Sequence, residues 1–158
     1  MVVGWERESE GAKDADLRAL ESVVGASLPA DYRVFLQDRN GGEPAQNTFS
    51  IPSADNQSGV NEFMSVRQIR DELTAYGDRL PRRTIPIAYA EGGNLVLLAL
   101  DDGRVSFWDH ELEDTDPVFP LAADFRAFQA SLQPFDPSTV ELKPGQVKRA
   151  WIDPDLLT

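Results

Sequence analysis

The chain of 158 residues is 41% hydrophobic and carries 27 acids against 15 bases, a net charge of −12. That length and apolar content suit one domain with a buried core, and that charge repels nucleic-acid backbones and anionic membranes while favouring a basic protein partner. With no cysteine, disulfides, thiolate zinc sites and cysteine nucleophiles are excluded.

The opening MVVGWERESEG has no basic region followed by an apolar one, and no later run approaches the roughly 20 apolar residues of a membrane span. A soluble, cytoplasmic protein is expected. After this polar lead, ADLRALESVVG places Leu17, Leu20, Val23 and Val24 on one helical face, with Gly25 to end it. In SLPADYRVFLQDRNGG, Pro29 suits a first turn, Tyr32, Phe35 and Leu36 follow at helical spacing, and Asn40-Gly41-Gly42 reads as the stop.

Residues 43 to 62 mix Pro, Asn, Ser and Gly around one apolar patch, NTFSI, which predicts a short strand inside loops. Ser65 then opens SVRQIRDELTAYG, where Gln68 completes a capping box and Val66, Ile69, Leu73 and Tyr76 form the buried stripe. The period changes after that. TIPIAYA, Gly92-Gly93, NLVLLAL, Asp101-Asp102-Gly103 and RVSFWD give three β-prone runs divided by glycine turns, hence a meander. Its middle run, Leu95 to Leu100, is apolar on both faces and belongs at the centre of a sheet, covered on both sides. After a further loop, ADFRAFQASL predicts a last helix, stopped by Pro134 and Pro137. The tail from Asp136 to Thr158 has the character of an edge strand or an arm docked through Trp151 and Ile152. No internal repeat is apparent.

The chemistry on offer is sparse. The single histidine, His110, lies between Asp109 and Glu111. In a strand, neighbouring side chains point to opposite faces, so His110 shares no face with both carboxylates unless the strand has ended, and the trio is poorly placed for a triad. One histidine without cysteine also falls short of an ordinary zinc site. Glu113, Asp114 and Asp116 extend the run to five carboxylates in the eight residues from Asp109. Such runs are commonly solvated loops, and their spacing does not reproduce a calcium loop. Gly41-Gly42 and Gly92-Gly93 match no phosphate-binding fingerprint, and turns explain both. No catalytic residue, metal or cofactor is assigned from the residues alone, which give an acidic α+β domain.

The order of segments carries more. A helix with Leu20-Glu21 and Gly25, then LPADYRVFLQDRNGGEP, TIPIAYAEGGNLVLLAL, DDGRVSFWDHE and ADFRAFQASL, resembles the SMI1/KNR4 or SUKH family over about residues 13 to 133. The resemblance implies an α+β fold, with a twisted, largely antiparallel sheet packed against several helices and the three-stranded meander of about residues 84 to 109 at its centre. It implies one domain over residues 1 to 135, with 136 to 158 as an extension docked on it. Many bacterial members resemble immunity proteins, which bind and block a toxin, often a nuclease. Eukaryotic relatives include regulators acting through protein contacts, and the family brings no catalytic motif.

Within that frame Leu28, Tyr32, Phe35 and Leu36 are expected in the core, Asn40, Gly41 and Gly42 at the end of the second helix, and Trp108 as an anchor of the sheet's end. Asp109, Glu111, Glu113, Asp114 and Asp116 are the expected contacts to a basic partner, a cognate toxin, with NTFSIPSADNQSGVNEF as a secondary surface. Two other functions compete: a regulatory or scaffold protein unconnected with toxins, and an enzyme using scattered acids with a divalent ion.

Overall fold

A computed structural model describes residues 4–112 and 116–136. Helix α1 spans Asp14–Val24 and α2 spans Ala30–Asp38. Leu17 and Leu20 are fully buried on α1, but Val23, expected on the same face, is 56% exposed. At 100° per residue Val23 stands roughly 90° away from the stripe that Leu17, Leu20 and the half-buried Val24 form. Gly25, at φ 71°, ends the helix and donates its N–H to the Glu21 carbonyl. The Glu21 carboxylate holds the corner that follows: it accepts from the Leu28 N–H at 3.0 Å and from Arg33 Nε at 3.3 Å. Arg33 also reaches Asp14 at 3.0 Å, and this hydrogen bond draws the Asp14 carboxyl below its ordinary range.

The second helix ends at Asp38, with Arg39 already extended, just before the expected stop, and Asn40-Gly41-Gly42 then carries the chain onto the sheet. Gly42 and Phe63 exchange backbone hydrogen bonds of 2.9 and 2.8 Å, and Asn40 Oδ1 accepts from the Val66 N–H at 2.9 Å. Gly41, at φ 82°, passes so close that a Cβ would stand 2.5 Å from the Phe63 carbonyl oxygen. Only glycine satisfies both the dihedral and the clearance.

The stretch expected to be loops around one strand is a hairpin: β1, Thr48–Ile51, pairs antiparallel with β2, Asn56–Phe63, across a single 3-10 turn at Pro52–Ala54. β2 was hidden because its buried positions include Ser58 and Gly59. The Glu91 side chain lies over Gly59, where a Cβ would meet Oε1 at 3.0 Å, so a small residue fills a buried position that an alternating apolar face would mark. Helix α3, Val66–Tyr76, starts in the expected capping box: Ser65 Oγ accepts from the Gln68 N–H at 3.2 Å, and Gln68 Oε1 accepts from the Ser65 N–H at 2.8 Å.

Strands β3 (Thr84–Ala90), β4 (Leu95–Ala99) and β5 (Val105–Trp108) form the expected meander. A further strand, β6 (Val118–Ala122), and helix α4 (Phe125–Ser131) follow, with Asp124 Oδ1 accepting from the Ala127 N–H at 2.7 Å. β6 escaped the sequence reading because Pro120 interrupts it, which an outer strand tolerates. The sheet order is β1-β2-β3-β4-β5-β6, antiparallel throughout. An α+β fold results.

Register explains why β4 is apolar on both faces. Tyr89, Leu95 and Trp108 are cross-strand neighbours, and α3 covers them: the Tyr76 ring stands edge-on to Trp108 at 5.2 Å, and Tyr89 Oη donates to Glu72 at 2.7 Å. On the opposite face Phe63, Ala88, Val96 and Phe107 align. There Phe63 meets Phe35 of α2 at 5.4 Å and Phe125 of α4 at 5.9 Å. Phe49 of β1 lies 6.1 Å from Phe107 of β5, although β2, β3 and β4 stand between their strands in the sheet order, so the sheet curls around this aromatic cluster. Gln133 then exchanges backbone hydrogen bonds with Thr48 and blunts the β1 edge.

The N-terminal lead is a structural part. Trp5 bridges to Pro44, and the Arg39 guanidinium stacks on its ring at 4.1 Å while donating to the Arg7 carbonyl at 2.7 Å. Arg39 is only 7% exposed. A Cβ on Gly11 would collide with the Gln37 carbonyl oxygen, which fixes glycine where the lead crosses α2.

Tyr32 is fully buried and its hydroxyl has no partner among the described residues. Tyr32→Phe is therefore expected to stabilise the protein by about 1 kcal/mol, read from the urea midpoint, because an unsatisfied polar group leaves the core. Burial also holds the phenol well above its ordinary value. The unfolded chain ionises near pH 10 and the native Tyr32 does not. Its contribution is complete below about pH 10 and is lost as pH rises past it, so Tyr32→Phe should flatten the alkaline fall in stability. An unchanged alkaline limb would show that this phenol does not govern it.

Candidate protein-binding surface

The acidic run begins where β5 ends. The Asp109 N–H donates to the Pro117 carbonyl at 2.9 Å, closing the base of the β5–β6 connection. Asp109 is half-buried and Oδ1 accepts from the Glu111 N–H at 3.0 Å; Asp116 Oδ1 accepts from the Val118 N–H, also at 3.0 Å. These two carboxylates each shape one end of the loop, while Glu111 is exposed and Asp116 keeps an exposed side chain. Glu113 and Asp114 lie outside the described residues, as do Trp151, Ile152 and the rest of the tail from residue 137.

His110 does not serve its acidic neighbours. Nδ1 stands 2.7 Å from Asn94 Oδ1, which also accepts the His110 N–H at 3.2 Å. The ring lies against Gly93, where a Cβ would come within 3.2 Å of it. The imidazole thus fastens the acidic loop to the β3–β4 turn. Beneath it, Arg79 reaches the His110 carbonyl at 3.5 Å, with its guanidinium 5.8 Å from the Trp108 ring centroid. Trp108 is 3% exposed and seats the end of the sheet on α3. Among the described residues no three His, Asp or Glu side chains come together to hold a metal ion, and no helix is long and apolar enough to cross a membrane. The loop presents carboxylates from a braced base, a geometry suited to meeting a cationic surface.

A second acidic surface was not foreseen. α2, α4 and the N-terminal lead enclose an open groove of about 710 Å³, whose lining includes Glu8, Asp31, Val34, Asp38 and Asp124. Its only trace in the sequence is Asp31, Val34 and Asp38 at i, i+3 and i+7 of one helix. The groove and the loop occupy opposite ends of the strands: the loop follows Trp108, paired with Val118, whereas α4 follows Ala122, paired with Val105.

The curled, fully antiparallel meander with helices on both faces and an acidic loop at one end defines an α+β domain of the SMI1/KNR4 type. The model of the SMI1/KNR4 family (SUKH-1) matches residues 11–131, and the chain belongs to that family, which includes immunity proteins. The chain is also similar to the SPbeta prophage-derived uncharacterized protein YokK of Bacillus subtilis strain 168, with 29% identity over 164 residues, covering 90% of this chain and 85% of YokK.

Proposed function

We propose that this protein is a cytoplasmic immunity protein that neutralises a basic bacterial toxin, such as a nuclease, by binding it in one-to-one stoichiometry. The single observation that carries the reading is a net charge of −12 on a SUKH-1 domain in which Glu111 and Asp116 are exposed on the loop that follows β5. Similarity to a prophage-derived protein supports a setting in which such genes travel.

In this mechanism Asp109, Glu111, Glu113, Asp114 and Asp116 steer the toxin by long-range attraction and rim the basic surface that substrate phosphates would approach. The rigid sheet end at the base of Asp109 and Asp116 limits the entropy lost on docking. No covalent chemistry is required. Inhibition follows from covering the toxin's active surface.

Affinity capture with the tagged protein from its own cells, at low and high salt, tests this. The expected result is one basic protein in roughly equal amount, released by salt and by combined reversal of Glu111, Glu113 and Asp114 to lysine. Recovery of no basic protein, together with stabilisation of the chain by a divalent ion, would overturn the reading.

A further inference from the structure

The groove between α2 and α4 offers what the loop lacks, an apolar centre on a rigid helix. Val34 is 53% exposed there, on the same side of α2 as Asp31 and Asp38, and the floor beside it includes Phe35 and Phe125. An exposed aliphatic side chain ringed by charged groups is the arrangement of an interface anchor and its rim.

Four carboxylates, Glu8, Asp31, Asp38 and Asp124, line the groove against two guanidiniums, Arg39 and Arg126. Among the described residues Glu8, Asp31, Asp38 and Asp124 form no ion pair. Asp31 accepts from the Tyr32 N–H at 2.8 Å and the Arg126 N–H at 3.1 Å, and Asp124 from the Ala127 N–H at 2.7 Å, whereas no hydrogen bond to the carboxylate of Glu8 or Asp38 is made by the described residues. Arg39 is already engaged with Trp5 and the Arg7 carbonyl, which leaves Arg126 as the exposed cation of the lining. Asp38 is also the last residue of α2, a turn without any basic residue. A carboxylate there opposes the helix dipole, so the free protein carries an unfavourable charge that an incoming cation would relieve.

We propose that this groove is the seat of the partner's principal contact: a basic segment whose Lys or Arg side chains pair with Asp31, Asp38 and Glu8 while one apolar residue packs on Val34. The inference rests on the protein-binding reading above and assigns its two acidic surfaces different tasks. The loop governs encounter, and the groove governs residence.

The probe is a synthetic peptide, acetyl-Lys-Arg-Leu-Lys-Arg-amide, titrated into the isotope-labelled full chain at low salt while backbone amide resonances are followed. Saturable shifts centred on Val34 and on the amides of Arg126 and Gln129 are expected. Glu8→Lys with Asp38→Lys, two exposed positions whose carboxylates hold no hydrogen bond among the described residues, should weaken the peptide at least tenfold, and Glu111→Lys less than twofold. Asp38→Lys places a cation at a helix C-terminus and is expected to keep or raise the melting temperature, which separates lost binding from lost structure. Shifts confined to residues 109–112, or an affinity indifferent to the double reversal, would overturn the proposal. If affinity capture recovers a basic partner that the double variant still holds, the groove is refuted and the immunity reading stands. A groove that takes the peptide while no partner is captured upholds the groove and refutes the toxin.

Discussion

Phe63→Ala is expected to destabilise the protein by about 4 kcal/mol, the middle of the range for a buried aromatic truncated to a methyl. Phe63 is fully buried, and the rings of Trp5, Phe35, Phe125 and Phe128 surround it with centroids within 6.4 Å. Those four come from the N-terminal lead, α2 and α4, so one side chain joins three separate segments to the sheet. Neighbours anchored on rigid elements cannot collapse into the space, and the cavity penalty adds to the lost transfer free energy. Since a domain's total stability is roughly 5–15 kcal/mol, the variant should unfold at much lower urea, whereas Val23→Ala, at a position 56% exposed, should shift the midpoint little. A loss below about 1.5 kcal/mol for Phe63→Ala would contradict a sheet curled tightly around the aromatic cluster.

The second large effect is kinetic. Reversing Glu111, Glu113 and Asp114 to lysine changes the local charge by two units at each site, opposite a partner of positive potential. Association is expected to slow by about 10- to 100-fold at low salt, with dissociation changing far less. At about 1 M salt the screening length falls to roughly 3 Å and the difference should vanish. Stopped-flow measurement across an ionic-strength series separates the two rates. A change carried mainly by dissociation would instead place these carboxylates inside the desolvated interface, reversing the roles of loop and groove.

Much of the fold was legible because periodicity reports burial. Leu17 and Leu20, Tyr32, Phe35 and Leu36, and Phe125 and Phe128 fall at helical spacing and are all buried; the apolar run from Leu95 to Leu98 lies between two covering layers. β2 and β6 were not legible, since the first buries Ser58 and Gly59 where an apolar pattern would be read and the second is broken by Pro120. Val23 failed for a geometric reason, lying a quarter-turn from the stripe. Trp5 and Arg39, far apart in sequence, form a stack that no local pattern announces.

The candidate surfaces divide in the same way. The acids from Asp109 to Asp116 are contiguous, so a charge run disclosed them, although only the fold reveals that His110 fastens the loop to Asn94 instead of joining a catalytic group. The groove draws Glu8, Asp31, Asp38 and Asp124 from three segments. Composition recorded their charge but could not bring them together.

Stoichiometric neutralisation is the central claim, and titration of the captured partner's own activity with this protein tests it most directly. With the partner well above its dissociation constant, activity should fall linearly to a sharp endpoint at one protein per partner and return when salt dissociates the pair. Activity that persists past equimolar protein would contradict it.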